Sequence, residues 1–402
     1  VSSLVNYLKW RGGFQIELAR EWVIKASKFC NLRCKYCYEW NELAKHERMS
    51  LSLWARILDT IRTLNERTEQ ETGRPPTDII VWHGGEPTAL PNDYLEDVIR
   101  LQREKLPRSW FESGRIKNRI QTNLYSLSDY KLEFLKRNDF GIGVSFDVVP
   151  GVRLDTRGAP TEERVLANVR RLEAHGIKPG FLVVIAAHTA RSIDHIYEFL
   201  RERGQPCRLL PLFEGPSERP LDGVAADRTT INSALMRMFR RWFGDGCPFP
   251  IRLFDEYLIV VVLKMLGLTR DFRYDRRMIG DKILVINLDG RMYQPCTDYS
   301  DEFVLGDLKT ESIDEIFASG SYHRSLERDD EIRGAVCERC EYFEACGAKE
   351  MFMVNDGGAS QRRCMTAQPL FRAIELFLNE QGINDRMLRS YVPDALHELG
   401  YS

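Results

Sequence analysis

Three thiols fall within one short stretch, Cys30-Asn31-Leu32-Arg33-Cys34-Lys35-Tyr36-Cys37, spaced x3 and x2 on what reads as a loop just after a strand. Structural zinc takes four protein ligands, and an iron–sulfur cluster held only by protein takes four thiolates. Three cysteines therefore leave one metal corner for something other than protein, and an open corner is where chemistry occurs. On these residues alone, three buried thiols or part of a zinc knuckle stay open as alternatives.

From Glu21 onward, short apolar runs alternate with amphipathic segments, the pattern of repeated βα units and a parallel sheet. The six runs are Trp22-Val23-Ile24, Ile79-Ile80-Val81-Trp82, Arg119-Ile120-Gln121, Ile142-Gly143-Val144-Ser145-Phe146, Phe181-Leu182-Val183-Val184-Ile185 and Arg208-Leu209-Leu210. Between the first two, Ser50 is placed to cap a helix whose Leu51, Trp54, Ile57, Leu58, Ile61 and Leu64 fall on one face. Val165, Leu166, Val169 and Leu172 make a second such stripe between the fourth and fifth runs. Six units are too few for a closed eight-stranded barrel. The α/β fold expected is an open, partial (β/α)6 TIM-like barrel with its active site at the C-terminal ends of the strands. The polar motifs collect at that end. The cysteine triplet follows run one, His83-Gly84-Gly85-Glu86-Pro87 ends run two, and Gln121-Thr122-Asn123 ends run three. Ser145 and Asp147 close run four, His188 lies beyond run five and Glu214 follows run six. Polar groups scattered for structural reasons have no cause to gather at one end of a sheet.

Residues 1–20 read as a short lead-in with no room for an added peptide-binding domain, and the barrel is expected over 21–226. A helical bridge over 227–280 follows, with Met236, Met238, Phe239, Trp242 and Phe243 and then the apolar run from Phe254 to Leu266. Ile283 to Tyr293 reads as a hairpin turning at Asp289-Gly290, and it opens a second domain over 281–375. An amphipathic helix from Pro369 to Phe377 leads into a tail, 376–402. Within the second domain, Cys337-x2-Cys340-x5-Cys346-x17-Cys364 is a strong metal signal, zinc or a cluster on spacing alone.

Composition narrows the classes. With 402 residues, 43% hydrophobic and 29% charged, the chain is long enough for one large domain and a smaller one. A net charge of −2 with both signs interspersed leaves no footprint for nucleic acid. No apolar run is long enough to span a bilayer, so no membrane partner is expected; Tyr257 to Leu268 is short and contains Lys264. No secretory signal opens the chain, which places it in the cytoplasm. Ten cysteines in a reducing compartment are then ligands or core thiols, and all but Cys207, Cys247 and Cys296 fall in the two sets.

The triplet resembles the signature of the radical S-adenosylmethionine (SAM) superfamily, in which three cysteines hold a 4Fe-4S cluster and SAM chelates the fourth iron. The resemblance implies an enzyme that makes a 5'-deoxyadenosyl radical and abstracts a substrate hydrogen. It also implies SAM contacts from Gly84, Gly85, Glu86 and Pro87, with Glu86 accepting from the methionine ammonium. Ser145 and Asp147 resemble the Ser-x-Asp strand end that meets the ribose or methionine part. Tyr36 takes the aromatic place beside the adenine, and Arg153 or Arg157, of which Arg157 is taken, is in reach of the carboxylate. The hairpin, Leu305-Gly306-Asp307-Leu308 and the second cysteine set resemble the SPASM domain of peptide-modifying members of that superfamily. The chain departs from the seven-cysteine SPASM pattern, because Glu350 stands four after Cys346 and Cys296 sits one residue late. The resemblance then implies two 4Fe-4S clusters, one binding SAM and one auxiliary on Cys337, Cys340, Cys346 and Cys364. A less favoured arrangement recruits Cys247 and Glu350 for a further site.

The substrate implied is a ribosomally made precursor peptide, crosslinked or otherwise oxidised at a side chain as by cyclophane-type maturases, with Asp298 and Glu214 as candidate catalytic residues. An external donor such as flavodoxin or ferredoxin would supply the electron. The rival reading is a radical SAM dehydrogenase or dehydratase acting on a sugar or aminoglycoside. Sulfatase maturation ranks third, because that pattern resembles the full seven cysteines. Replacing Cys30, Cys34 and Cys37 together by Ala is expected to abolish SAM cleavage and to leave one cluster's iron, about four of about eight atoms per chain by elemental analysis.

Overall fold

The computed structural model describes residues 19–212, 221, 223–269, 283–293, 299–347, 354–355 and 363–391. Six strands run parallel in chain order: β1 Ala19–Ser27, β2 Thr77–Gly84, β3 Ile116–Thr122, β4 Gly141–Ser145, β5 Gly180–Ile185 and β6 Cys207–Pro211. Each pairs with the next. The six apolar runs fall on these six strands, apart from Phe146, which lies one residue past β4.

Side-chain alternation gives the sheet two different faces. On β1, Trp22, Ile24 and Ala26 are fully buried on one face, and Lys25 projects from the other. The first face packs on helices. Trp54 of helix Leu51–Thr72 meets Trp82 of β2 with ring centroids 5.1 Å apart. That helix starts as the sequence implies, with Ser50 Oγ accepting from Leu53 N at 3.2 Å, and it stops at Gly73 in the left-handed region. Five of its six stripe residues are buried. Leu51, the first residue of the helix, is 38% exposed, and Leu53 takes the buried place in that turn. In helix Glu162–Ala174, Val165, Val169 and Leu172 are buried and Leu166 is partly so.

The bridge consists of helices Arg228–Gly244 and Arg252–Leu266. Helix Ala367–Glu380 lies against both, through Phe377 on Phe239 and Phe371 on Tyr257, whose centroids are 6.0 and 4.8 Å apart. The hairpin also forms, as β7 Ile283–Ile286 and β8 Arg291–Tyr293, with β9 Val304–Asp307 beside β8. Its placement was not legible in the sequence. β7 pairs in parallel with β1, Trp22 opposite Leu284 and Ile24 opposite Ile286. One nine-stranded sheet results, in the order β6-β5-β4-β3-β2-β1-β7-β8-β9. An open barrel leaves β1 with an edge of unpaired N–H and C=O groups, and β7 satisfies it. The second domain thus begins on the sheet of the first. Among the described residues no helix is long and apolar enough to cross a membrane.

Near the N-terminal ends of the strands, Asp78 is fully buried and accepts from Arg20 Nε at 2.8 Å, Arg20 Nη2 at 3.2 Å, Trp22 Nε1 at 2.8 Å and the Asn65 amide. Removing it leaves the buried Arg20 guanidinium without its counter-charge and the Trp22 indole N–H without its acceptor. Asp78→Ala is expected to lower stability by about 3 kcal/mol or more, read from the urea midpoint. Arg62→Ala, which breaks a half-exposed i,i+4 pair with Glu66, is expected to cost no more than about 0.5 kcal/mol.

Candidate functional site

The loop after β1 folds around a small apolar centre of its own, Leu32 and Leu43, with Cys30 and Cys34 packed against it. Backbone hydrogen bonds fix its course: Cys30 N to Leu43 O at 3.0 Å, Arg33 N to Leu154 O at 2.7 Å, Lys35 N to Val152 O at 3.0 Å and Cys37 N to Cys34 O at 3.1 Å. Cys30 and Cys34 are buried and Cys37 is partly buried. Burial pushes the Cys30 thiol up to about 12, the Cys37 thiol up to about 11, and Cys34 in the same direction. The negative charge of each thiolate would also weigh on its neighbours. Iron offsets such a cost when thiolates bind it, so three thiols withdrawn from water at one loop suit a metal centre. Among the described residues no three His, Cys, Asp or Glu groups converge as single-ion ligands do. A 4Fe-4S cluster sets its thiolates on separate irons, further apart than around one zinc.

The Gly-Gly-Glu-Pro segment meets this loop backbone to backbone. Gly85 N donates to Ser27 O and Glu86 N to Phe29 O, both at 2.8 Å. A Cβ on Gly85 would stand 2.2 Å from the carbonyl oxygens of Lys28 and Phe29, and one on Gly84, at φ 121°, 2.1 Å from Ser27 O. Only glycine fits at either place. Glu86 is 1% exposed. Its Oε1 accepts from Thr88 N at 2.9 Å, Thr88 Oγ1 at 2.6 Å and Thr122 Oγ1 at 2.7 Å, and Oε2 accepts from Asn123 N at 2.7 Å. The carboxylate therefore caps the 3-10 turn Pro87–Ala89 and ties the end of β2 to the end of β3. Both oxygens thus accept from protein donors, and the carboxylate braces the two strand ends.

Past β4, Asp147 is 1% exposed and accepts from Tyr36 Oη at 2.5 Å and Val184 N at 3.1 Å. Arg153 Nη1 donates to Tyr36 Oη at 2.7 Å. The next residue after Asp147, Val148, holds φ at 69°, a strained conformation for a β-branched residue. Burial works against the charge on Arg153, but Cys34, Tyr36 and Asp147 around it hold its pKa well up. Ser145 Oγ accepts from Gln121 Nε2 at 2.7 Å, and Gln121 lies where a Cβ on Gly143 would be. Arg157 is not gathered with this group: its side chain is 85% exposed and its carboxylate neighbour is Asp155, at 3.6 Å. Arg153 is the buried guanidinium of the two, because the 152–155 segment pairs with the cysteine loop and 157 lies beyond that pairing.

His188, after β5, has Nε2 3.9 Å from Asp147 Oδ2, and both ring nitrogens are buried without a hydrogen-bond partner. Burial moves its pKa downward, so it is the neutral imidazole at neutral pH.

Sequence reasoning missed a second polar group on the concave side of the sheet. Lys25, fully buried, hydrogen-bonds Tyr38 Oη at 3.1 Å and Glu39, and its Nζ lies 3.6 Å from the centre of the Tyr299 ring. Burial lowers its pKa to about 8. His83 is the residue opposite Lys25 on β2, and burial with the nearby lysine takes it down to about 4. A lone lysine inside an apolar run was the available signal. Asp298, Glu214, Cys296 and Glu350 lie outside the described residues; Tyr299, next to Asp298, is described and stands over Lys25.

The second cysteine set is delivered by a π-helical turn, Arg333–Cys337, a short helix ending at Cys346, and the β10–β11 pair Val354–Asn355 and Arg363–Cys364. Burial and then Cys346, Cys364 and Cys340 push the Cys337 thiol up to about 12, so the four thiols are electrostatic neighbours. Gln368 N donates to Cys364 Sγ at 3.4 Å. This donor set suits a closed four-thiolate centre.

Residues 24–201 match the model of the Radical SAM superfamily, and residues 278–341 that of the SPASM iron–sulfur cluster-binding domain. A cysteine-type anaerobic sulfatase-maturating enzyme of Clostridium novyi is 26% identical over 336 residues, 80% of this chain and 84% of the relative. A serine-type anaerobic sulfatase-maturating enzyme of Bacteroides thetaiotaomicron is 23% identical over 348 residues, 80% of this chain and 79% of the relative. The solved structure of native anSMEcpe with bound AdoMet and Cp18Cys peptide superposes with a TM-score of 0.67 at 20% identity, covering 93% of this chain and 99% of that one, a likeness of fold. The two domains together imply SAM and two 4Fe-4S clusters as cofactors. The chain thus carries a Radical SAM domain over residues 24–201 and a C-terminal SPASM domain over residues 278–341.

Proposed function

We propose that this chain holds a SAM-binding 4Fe-4S cluster on Cys30, Cys34 and Cys37 and takes a hydrogen atom from a side chain of a peptide substrate. The observation that carries the reading is the seating of three thiols, two buried and one partly buried, on one loop against the polar ends of β2, β3 and β4. SAM would lie along that seam. The backbone of Gly84 and Gly85, shaped by Pro87 and braced by Glu86, would take its methionine end. Tyr36, Ser145, Asp147 and Arg153 would take the rest, Arg153 replacing Arg157 as the buried cation. Bound there, cluster and SAM supply the one-electron cleavage that yields a 5'-deoxyadenosyl radical.

The chain's own groups position and deprotonate. A hydrogen atom leaves a side-chain carbon and ends in 5'-deoxyadenosine. Cys337, Cys340, Cys346 and Cys364 would hold the auxiliary cluster, which would supply the acceptor for the second electron, and the proton would go to a base, for which Asp298 and Glu214 are the candidates. The product is a crosslink or another two-electron oxidation, and flavodoxin or ferredoxin would supply the initiating electron. Relatives named for maturing sulfatases, of both cysteine and serine type, over 80% of this chain support a polypeptide substrate. The same relatives raise single-residue oxidation to a competing outcome with crosslinking, and no such support attaches to a sugar or aminoglycoside.

Anaerobically reconstituted protein with dithionite and SAM is expected to form 5'-deoxyadenosine, and to convert a precursor or a cysteine- or serine-containing sulfatase peptide. Tandem mass spectrometry then decides: fragments that no longer separate between two residues mean a crosslink, and a change confined to one Cys or Ser means single-residue oxidation. Full iron with no deoxyadenosine would end the radical reading. Gly85→Ala is expected to displace the cysteine loop and to lose about half the iron, about four atoms, at nearly unchanged far-UV circular dichroism. Retention of all the iron would show that the glycine seam does not hold the site.

A further inference from the structure

Asn123, at the end of β3, is 6% exposed and sits beside the cysteine loop. Its amide orientation is fixed. Tyr125 N, which can only donate, lies 2.9 Å from Asn123 Oδ1, so the other amide atom is the NH2 group. That Nδ2 donates to Asn31 Oδ1 at 2.9 Å and to Cys30 Sγ at 3.6 Å. Leu32 N donates to the same sulfur at 3.4 Å. The backbone is bent to allow this: Leu124, fully buried, holds φ at 52°, a conformation leucine seldom adopts. Asn123 is held from behind as well, its own N–H donating to Glu86 Oε2 at 2.7 Å. A buried amide so constrained on every side, with one N–H left for a thiol, has a purpose beyond the turn.

The geometry points to Asn123 as a positioning residue that sets the reduction potential of the cluster on Cys30, Cys34 and Cys37 by hydrogen bonding to the Cys30 thiolate. The inference rests on the reading of that triplet as the SAM-binding site. A reduced cluster carries one more negative charge, much of it on sulfur. An N–H aimed at a ligand sulfur stabilises that state more than the oxidised one and raises the potential. Asn123 thereby makes the cluster easier for an external carrier to reduce.

The test is an EPR-monitored redox titration of the full, reconstituted protein, the SAM-site cluster being the signal that changes when SAM is added. Asn123→Leu removes the donor at similar size. It is expected to make that midpoint more negative by about 59 mV, a tenfold fall in the reduced-to-oxidised ratio for one electron. Asn123→Asp keeps the acceptor for Tyr125 N and turns an oxygen towards the sulfur, so its midpoint is expected to fall at least as far. Ser126→Ala, which removes only the acceptor for Asn31 Nδ2, is expected to leave the midpoint in place. The auxiliary midpoint in each sample reports that the protein is folded. Both clusters present with unchanged midpoints in the two Asn123 variants would overturn the inference. So would loss of iron from the triplet with the auxiliary cluster intact, since a residue that only tunes is not needed for assembly. A wild-type protein that takes up no SAM-responsive cluster would instead overturn the reading beneath it.

Discussion

Two backbone hydrogen bonds carry the pairing of β1 and β2 beyond the end of the sheet, and the site is built on them. Gly85 N reaches Ser27 O, Glu86 N reaches Phe29 O, and Cys30 is the next residue. The seam exists because two consecutive residues lack a Cβ, and its far side is held by one carboxylate that takes four donors from Thr88, Thr122 and Asn123. A buried carboxylate is costly unless its oxygens are filled. Here the filling groups come from the turn after β2 and from the end of β3, so the desolvation of one side chain is offset by contacts that fix two strand ends relative to each other. The position of Cys30 then follows from backbone geometry, with little left to side-chain packing.

The opposite side of the loop is fixed electrostatically. Glu39, two residues past Cys37, is held between Lys25 and Lys28, and both lysines lie near the Tyr299 ring. Burial alone would raise the Glu39 carboxyl, and the two lysines bring it below its ordinary value. Tyr299 belongs to the segment after β8, so this group joins the cysteine loop to the second domain at the mouth of the barrel. The parallel pairing of β7 with β1 joins the same two parts through the sheet. Two independent contacts, one of backbone and one of charge and aromatic face, make the second domain part of the wall of the site.

Much of this was legible. The six runs landed on six strands because the covered face of each carries residues such as Trp22, Ile80 and Val183 that tolerate no other place. The cap at Ser50 and the hairpin at Gly290 follow from local chemistry that tertiary context does not override. The rest depended on pairings between segments far apart in sequence. Nothing local distinguishes Arg153 from Arg157; the burial of one comes from the 152–155 segment pairing with the cysteine loop. The bracing role of Glu86 needed Thr122 and Asn123 to be placed first. Lys25 was hidden inside an apolar strand, because a strand with one face in a polar cavity reads as a buried strand with one exception.

The second cysteine set shows how the same chain fixes a centre without a sheet. Tyr342, two residues after Cys340, is 1% exposed, and its hydroxyl donates to Glu375 at 2.5 Å. Lys264, from the bridge, donates to the same carboxylate at 2.6 Å. Tyr342 also packs on Phe371, which in turn meets Tyr257. The segment bearing Cys337, Cys340 and Cys346 is therefore clamped to helix Ala367–Glu380 and, through it, to the bridge helices. Those helices share one apolar core with the covered face of β1 to β6. Both cysteine sets thus hang from a single packed body, and close-packed cores do not deform continuously. Clusters held as proposed would be mounted at a fixed separation, so that the donors on individual sulfurs, Asn123 Nδ2 and Leu32 N at Cys30 and Gln368 N at Cys364, would be the points where the sequence adjusts their potentials.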